Sequence, residues 1–268
     1  MSLSTIDFNA LYKQQKLSST FKPKNRDDWE KKAKSVSQRV HKSIYNSELL
    51  SKIDFTGCST LLDVGCGAGN IAILASKKVQ KVYALDFSKN MLKHLKEEAK
   101  KQNIDNITTI NVSWEDNWDD IPTCDVVLAS RSMEVSDMKD ALKKLNKKAK
   151  KRVYLTYKVG GSFVNDDILE FIGKKIVKKP DFIYIINILF QMGIYPTLSY
   201  IKSEGRKKQY DSLESFKKSI IWSIGEISKE QEKLLEEYYD TRLKDDEEKN
   251  EYVCWAVISW DKKSQPCL

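Results

Sequence analysis

The sequence predicts an α/β fold with a doubly wound, mostly parallel sheet of seven strands, of which the last runs antiparallel. Two observations predict it. Short apolar segments typical of buried strands alternate with segments of helical periodicity, and a glycine-rich segment directly follows the first predicted strand. With 268 residues, of which 41% are hydrophobic, the chain can form one large domain or a domain with an inserted lid.

The strands are predicted from short runs of β-branched and apolar residues. Helical segments lie between most of the first five, which favours right-handed βαβ units and a parallel sheet. The last two are expected to pair as a hairpin, so that the residues between them form an insertion at the edge of the sheet. The predicted strands are Thr60–Val64, Val82–Leu85, Ile107–Val112, Asp125–Ala129, Val153–Tyr157, Thr197–Ile201 and Tyr252–Trp260.

Helical periodicity fills the gaps between these strands. Ser88 and Ser136 are each expected to cap the helix that follows, because a serine side chain accepts hydrogen bonds from free backbone N–H groups. Gly193, with Pro196 beyond it, predicts the end of another helix. The predicted helices are Gly69–Lys77, a helix after Ser88 with Leu92, Leu95 and Ala99 on one face, a helix after Ser136 with Met138, Ala141, Leu142, Leu145 and Ala149 on one face, Asp181–Met192, and two helices within Ser212–Lys244 that separate near Gly225.

The two ends of the chain are predicted to flank this core. Residues 1–25 hold few apolar residues and are expected to be loosely ordered, whereas Asp27–Ile53 has the pattern of one or two amphipathic helices. Apolar residues of the insertion, such as Phe216 and Trp222, need cover, which a lid over a pocket or a dimer contact would each provide. The predicted segments are 1–54, an N-terminal tail and helical cover; 55–202, the core; 203–250, a helical insertion or lid; and 251–268, the last strand and a tail.

Composition excludes several classes of protein. No run of 18 apolar residues exists, which predicts no membrane span, and the polar segment Met1–Lys24 has no signal-peptide pattern. Two histidines and five scattered cysteines without a CxxC pair argue against a zinc or iron–sulfur site and against a disulfide framework. We expect free thiols, no metal and a cytoplasmic protein.

The net charge of +8 leaves two interpretations open. Lysine-rich stretches at Lys143–Arg152, Lys174–Lys179 and Arg206–Lys208 could bind nucleic acid, since phosphate contacts release counterions. Lysine is nevertheless common along the whole chain and acids are nearly as frequent, so a solvated surface explains the excess better.

The residues most indicative of chemistry form the segment Leu61–Asn70. Gly65, Gly67 and Gly69 follow a predicted strand, where the missing Cβ lets the backbone approach a ligand closely. Asn70 stands where a dinucleotide-binding motif has its third glycine. Asp63 lies two positions before the first glycine, and its carboxylate suits a ligand with an amino group and a positive sulfur better than it suits a pyrophosphate.

Asp86 follows the second predicted strand, 86 − 65 = 21 residues after Gly65. Folds of this kind place an acidic residue on ribose hydroxyls about 20 residues after the glycines. An aspartate after a strand can instead serve only as a turn or cap residue. Its spacing from the glycines favours the ribose role.

Four segments, Leu61–Ile71, Val82–Leu92, Asn111–Asp116 and Asp125–Ser130, resemble the successive motifs of the class I S-adenosylmethionine-dependent methyltransferases, which have a Rossmann-like fold. The resemblance covers residues 58–160. It implies S-adenosylmethionine as cofactor and one set of cofactor-binding residues. These are Asp63, Gly65, Cys66 and Gly67 along the methionine part, Asp86 on the ribose, Phe87 and Met91 flanking the adenine, Trp114 and Glu115 beside the adenine edge, and Ser130 after the fourth strand.

Two positions depart from the family pattern or stay ambiguous. Ser113 stands where many relatives have an aspartate, so Glu115 or Asp116 is expected to replace it at the adenine. Trp114 is interpreted equally well as a core tryptophan.

The resemblance places Ser130-Arg131-Ser132-Met133 where relatives meet the methyl acceptor. Arg131 could bind an acidic group of the acceptor or pair with a surface carboxylate. The N-terminal segment carries candidates for a cover over the cofactor, with His41 as a conceivable base that is more often structural; these candidates are Trp29, Arg39, His41 and Tyr45.

Three functions remain open at this point. Methyl transfer to a small molecule is favoured, because helical cover is predicted on both sides of the core. Methyl transfer to RNA or to a protein docked on the basic surface is the alternative, and a non-catalytic cofactor-binding module is a third. A homodimer is compatible with each of them.

Overall fold

The structure is a computed structural model that describes residues 3–21, 24–25, 27–31, 43–162, 164–204, 212–243 and 252–262. Its strands are β1 (Thr60–Val64), β2 (Lys81–Asp86), β3 (Ile107–Asn111), β4 (Cys124–Ala129), β5 (Ala149–Lys158), β6 (Thr197–Glu204) and β7 (Tyr252–Asp261). Its α-helices are α1 (Phe8–Ser18), α2 (Ile44–Lys52), α3 (Ala72–Ala75), α4 (Lys89–Lys101), α5 (Met138–Lys148), α6 (Asp166–Phe171), α7 (Phe182–Gln191), α8 (Leu213–Ile224) and α9 (Lys229–Tyr238).

The strands form one seven-stranded sheet in the order β3-β2-β1-β4-β5-β7-β6. The first five pair in parallel, while β7 runs antiparallel to both of its neighbours, β5 and β6. The prediction of a mostly parallel sheet with a final antiparallel strand is confirmed. The chain order reverses between β1 and β4, and in such sheets ligands bind at the carboxyl ends of the strands beside this reversal.

Helices cover both faces of the sheet because the strand side chains alternate between them. Leu61 contributes to one apolar cluster, together with residues of α2, α3 and α4. Its neighbour Leu62 contributes to the opposite cluster, together with residues of α1, α5 and α7. The buried core is therefore divided into two layers by the sheet, and the polar ends of the strands remain at its edge.

The N-terminal region is more ordered than the sequence predicts. The expectation of a loosely ordered stretch over residues 1–25 is wrong for α1, which Asp7 caps by accepting hydrogen bonds from Asn9 N and Ala10 N. Tyr12 is buried in the core and donates its hydroxyl hydrogen to Val135 O at 2.8 Å. Helix α1 was not predicted because its segment has a low apolar content, and tertiary contacts stabilise it.

Three boundaries also differ from the sequence predictions. The cap of α5 is Asp137, which accepts a hydrogen bond from Asp140 N at 2.9 Å, so the expected Ser136 cap is wrong by one residue. The helix predicted over Gly69–Lys77 is reduced to α3, since the glycine turn occupies its start. Strand β5 begins four residues before the predicted Val153 because its basic start pairs with β4 and β7.

The described residues of the insertion between β6 and β7, 212–243, form two α-helices, as predicted, which separate at Gly225. The buried residues of α8 are covered within the chain by α6, by α9 and by Phe21, and together they form a third apolar cluster. Helix α6 was not predicted. The division of the chain into four segments remains a prediction, as do the lid and dimer interpretations of the insertion.

Within the part of the chain that the structure describes, no helix combines the length and apolar character that crossing a membrane requires.

Candidate functional site

The glycine segment forms the turn between β1 and α3, at the carboxyl edge of the sheet. A Cβ added to Gly65 would lie 2.3 Å from Ser132 Cβ, and one added to Gly69 would lie 2.2 Å from Leu95 Cδ1. These two glycines permit close packing of the chain against itself. A Cβ added to Gly67, which has φ +54, would meet only Met91 Sδ, at 4.0 Å. The open side of Gly67 is therefore the part of the turn that a ligand can approach.

Asp86 holds this turn in place. Its Oδ2 accepts a hydrogen bond from Gly67 N, and its Oδ1 accepts one from Ser88 N, both at 2.8 Å. Asn111 Nδ2 donates to the backbone oxygens of Asp86 and Phe87 at 2.9 Å each, which orders the turn after β2. Asp86 thus orders the backbone of two turns, the one after β1 and the one after β2.

Asp63 lies beneath the turn and is 1% exposed. Neither of its carboxylate oxygens has a hydrogen-bond partner among the described residues, and the same holds for Asn70 Oδ1. Burial, together with the nearby carboxylate of Asp86, raises the pKa of Asp63 from 3.8 to about 7, and the backbone amide of Ala72 opposes this rise. An unpartnered buried carboxyl group is costly, and a ligand that supplies a positive donor would relieve the cost.

Met91, at the start of α4, is buried beside Gly67, and Phe87 is half-buried in the loop before the helix. Ser88 caps the helix by accepting a hydrogen bond from Met91 N at 3.1 Å, as predicted. The structure therefore brings Gly67, Asp86, Phe87 and Met91 to one edge, with Asp63 below them. Whether Phe87 and Met91 flank an adenine stays a prediction.

The two residues expected at the adenine edge follow Val112, whose N–H donates to Asp86 O at 3.3 Å. Trp114 stacks on Trp118 at 5.2 Å between ring centroids, and its Nε1 donates to Ser132 O at 3.1 Å. These contacts are typical of a tryptophan that packs in the core. Its partner Ser132, however, also contacts the glycine turn. Glu115 is exposed, and no contact joins it to the glycine turn in the described residues. The adenine roles of both remain predictions.

A hydroxyl cluster lies at the carboxyl ends of β4 and β5. The Tyr45 hydroxyl, on α2, is 2.8 Å from Ser130 Oγ and 2.7 Å from Thr156 Oγ1. Burial raises the pKa of Tyr45, so its hydroxyl stays protonated at neutral pH. Sequence reasoning named Ser130 and Tyr45 separately but missed Thr156, because these positions are far apart along the chain.

The structure describes one of the three remaining candidates for a cover over the cofactor and does not describe the other two. Trp29 is part of the described chain and contacts α8, whereas Arg39 and His41 lie outside the described residues. Cys66 is buried, and burial raises the pKa of its thiol well above the ordinary value, so it is unsuited to act as a thiolate nucleophile. Among the residues described, no group of three or more His, Cys, Asp or Glu side chains could hold a metal ion.

These features fit S-adenosylmethionine. The unpartnered carboxyl of Asp63 suits the positive amino group of the methionine part, the open side of Gly67 leaves room for it, and the carboxylate of Asp86 is an acceptor of the kind that ribose hydroxyls need.

Comparisons with known proteins agree with this fit. A family model described as "Methyltransferase domain" matches residues 61–152. A protein of Haemophilus influenzae (strain Rd), itself uncharacterized, is 36% identical over 264 residues, which cover 97% of this chain and 98% of that protein.

Solved structures show the same fold. YcgJ from Bacillus subtilis superposes with a TM-score of 0.51 at 17% identity, covering 77% of this chain and 92% of that chain. A SAM-dependent methyltransferase from Aquifex aeolicus superposes with a TM-score of 0.50 at 16% identity, covering 88% of this chain and 98% of that chain. Residues 61–152 therefore form a methyltransferase domain, and the sheet order and the glycine turn of the chain are those of the class I methyltransferase fold.

Proposed function

We propose that this enzyme transfers the methyl group to a small molecule, in a site at the carboxyl edge of β1, β2, β4 and β5. In this proposal the methionine part of the cofactor lies along Gly65–Gly67 with its amino group toward Asp63, Asp86 binds the ribose, and Met91 contacts the adenine. The observation that carries the small-molecule acceptor is a connected cover beside this edge.

The cover consists of residues 24–25, residues 27–31 and helix α8. Glu30 Oε2 accepts a hydrogen bond from Asn90 N at 3.2 Å, which attaches the segment to the start of α4, directly beyond the Asp86 turn. On its other side, the Trp29 ring packs edge-on against Trp222 at 6.5 Å, and Lys24 lies over the same Trp222 ring at 4.4 Å. A folded RNA would have to displace this cover to reach the cofactor, whereas a small acceptor needs only a gap in it.

The contacts of the basic stretches also argue against RNA. Most described cations of Lys143–Arg152 already have partners within the chain, and Lys148 is buried with its Nζ donating to Ile121 O at 2.5 Å. In Lys174–Lys179, three lysines have partners, while Arg206–Lys208 lies outside the described residues. The partnered side chains are Lys144 with Asp140, Lys147 with Asp119, Lys151 with Asp125, Arg152 with Asp54 and Asp261, Lys174 with Glu226 O, Lys178 with Asp166, and Lys179 with Glu134.

The cofactor supplies an activated methyl group on a positively charged sulfur. The protein's part is to bind and align the reactants, which can account for roughly 7–11 kcal/mol of the barrier. The locked backbone at Gly67 and the hydroxyl cluster at Tyr45 are rigid elements suited to that alignment. A general base is needed only where the acceptor must lose a proton.

Calorimetric titration with S-adenosylhomocysteine tests the cofactor placement. We expect one site per chain in the wild type and no binding in Gly67→Val, because the valine side chain would occupy the open side of the turn. Gly173→Val is the matched control. Gly173 also has a positive φ, +61, and nothing lies within 4 Å of its added Cβ, but it follows α6 and not the glycine turn. Equal binding by both variants would contradict the placement, and NAD titrated alongside should not bind.

The acceptor class is tested by the release of S-adenosylhomocysteine. Small-metabolite extracts should support release, while tRNA should support neither release nor salt-dependent binding. Binding of tRNA that weakens steeply with salt, together with its methylation, would replace the small-molecule proposal by the RNA alternative.

The four cysteines within the described residues are free thiols, which supports a reducing, cytoplasmic location.

A further inference from the structure

Arg131 follows β4 with a backbone that an arginine rarely adopts. Its φ is +55, and its N–H donates to Thr156 Oγ1 at 2.9 Å. The next residue, Ser132, packs against the glycine turn so closely that a Cβ on Gly65 would lie 2.3 Å from Ser132 Cβ. Such conformations cost free energy and persist where the surrounding structure imposes them, often at binding sites. The backbone of Arg131 is therefore held beside the part of the turn proposed for the methionine end of the cofactor.

The side chain of Arg131 rests on two aromatic rings. Its guanidinium carbon lies 4.2 Å from the centroid of the Tyr45 ring and 5.9 Å from that of Trp255. Tyr45 is fully buried and held by its hydroxyl partners, so the ring is a rigid support. Stacking on a ring face leaves the N–H groups at the edge of the guanidinium free to bind an anion.

The charge of Arg131 is not neutralised within the described chain. No carboxylate of the described residues lies within ion-pair distance of its guanidinium. Glu204 lies close enough for Arg131 to contribute to its lowered pKa, but its oxygens accept hydrogen bonds from Ser43 Oγ and Ile44 N, each at 2.6 Å. Arg131 is exposed, so its donors face solvent at the edge of the site.

The opposite charge of Asp63 lies nearby. Burial is the largest influence on the pKa of the Tyr45 hydroxyl and raises it. The charge of Arg131 lowers this pKa, and the charge of Asp63 raises it further. One hydroxyl is thus within electrostatic range of a carboxyl group without a hydrogen-bond partner, and of a guanidinium without an ion-pair partner, in the part of the chain that the structure describes. A ligand with a positive and a negative group at one end would match this pair of charges.

We propose that Arg131 is an anion-binding residue that holds a carboxylate or phosphate at the methionine end of the cofactor site, an inference that rests on the cofactor placement proposed above. A planar guanidinium forms paired, charge-assisted hydrogen bonds with such groups. The anion has two possible sources, the carboxylate of the cofactor itself and an acidic group of the acceptor. The two sources are separated by experiment.

The first arm measures cofactor binding. Arg131→Asn removes the charge and keeps a residue that tolerates positive φ, and Arg131→Lys keeps the charge but not the paired donors. Lys202→Asn is the matched control, since Lys202, on β6, is exposed and its Nζ lies 5.2 Å from the centroid of the Tyr252 ring on β7. Each protein is titrated calorimetrically with S-adenosylhomocysteine and with its decarboxylated analogue. If the cofactor is the source, Arg131→Asn should bind S-adenosylhomocysteine roughly ten- to a hundredfold more weakly and the analogue unchanged. Arg131→Lys should be intermediate.

The second arm measures anion binding to the protein saturated with S-adenosylhomocysteine. Inorganic phosphate and acetate are titrated separately, and binding is followed by amide chemical shifts in the wild type and in Arg131→Asn. If the acceptor is the source, the wild type should bind one of these anions, the variant should not, and cofactor affinity should be equal in both.

Three results would overturn the proposal: no change in Arg131→Asn in either arm, equal losses for S-adenosylhomocysteine and its decarboxylated analogue, or equal losses in Lys202→Asn. A wild type that does not bind S-adenosylhomocysteine would instead remove the cofactor placement itself. The two failures are therefore distinguishable.

Discussion

The unpartnered carboxyl group of Asp63 should weaken the ligand-free protein at alkaline pH. Folding raises its pKa from 3.8 to about 7, chiefly by burial. A group whose pKa is raised on folding is protonated in the folded chain and ionised in the unfolded chain between these two values, so stability falls as the pH rises through this window. Replacing Asp63 by asparagine keeps the shape of the side chain and removes the ionisation.

The size of the effect follows from the two pKa values. Each pKa unit corresponds to about 1.4 kcal/mol, so ionised Asp63 costs the folded chain about 4 kcal/mol. Part of this cost is already present at pH 5, which lies above 3.8. The free energy of unfolding of Asp63→Asn, relative to wild type, should therefore increase by about 3 kcal/mol between pH 5 and pH 8.

Urea unfolding of both proteins at a series of pH values measures this difference. Asp125→Asn is the control. Although burial acts to raise the pKa of Asp125, hydrogen bonds from Ser59 N and Thr60 lower it overall. Its titration window lies below pH 4, so the difference between Asp125→Asn and wild type should stay constant from pH 5 to pH 8. Parallel curves for wild type and Asp63→Asn would refute the reasoning.

Cofactor binding offers a second readout of the same group. If Asp63 meets the positive amino group of the cofactor, binding favours its ionised form. The affinity of the wild type for S-adenosylhomocysteine should then rise as the pH increases through 7, and the affinity of Asp63→Asn should be lower at pH 8 and lack that rise. A pH-independent wild-type affinity would separate Asp63 from the ligand.

The remaining predictions concern single contacts. Tyr45→Phe should lower the free energy of unfolding by about 1–3 kcal/mol, because the buried Thr156 hydroxyl and the half-buried Ser130 hydroxyl each lose a hydrogen bond; unfolding in urea measures this, and an unchanged midpoint would contradict it. Trp29→Ala and Trp222→Ala, alone and combined, should show a coupling energy of about 0.5–1.5 kcal/mol, whereas additive effects would mean that the ring contact contributes nothing. Asp86→Ala should weaken S-adenosylhomocysteine binding by about 1–3 kcal/mol in calorimetry; a wild-type dissociation constant would make Asp86 a turn residue only.

Much of the fold could be predicted because the signals are local. Apolar runs over single strands and the spacing between Leu92, Leu95 and Ala99 identify elements without knowledge of their partners. The predictions fail where contacts with distant residues determine whether an element forms or where it begins. Helix α1 has few apolar residues of its own, and β5 starts early because Arg152 pairs with Asp261 on β7.

The candidate site shows the same division. Gly67 and Asp86 were predicted together from one short motif and its spacing, and the family resemblance added Met91. The separation of roles among the three glycines was not predicted, since it depends on whether Ser132, Leu95 or open space faces each of them.

The sequence by itself determined the strand and helix alternation, the glycine turn after β1 and the acidic residue after β2, because each depends on residues close together in the chain. Only the tertiary structure decided that Tyr45, Ser130 and Thr156 share one hydroxyl cluster, that Asp63 has no hydrogen-bond partner among the described residues, and that Arg131 is held at positive φ on an aromatic support. Burial, electrostatic fields and side-chain packing arise between elements that are 85 and 111 residues apart in the chain, as for Tyr45 with Ser130 and Thr156. No local pattern of residues encodes them.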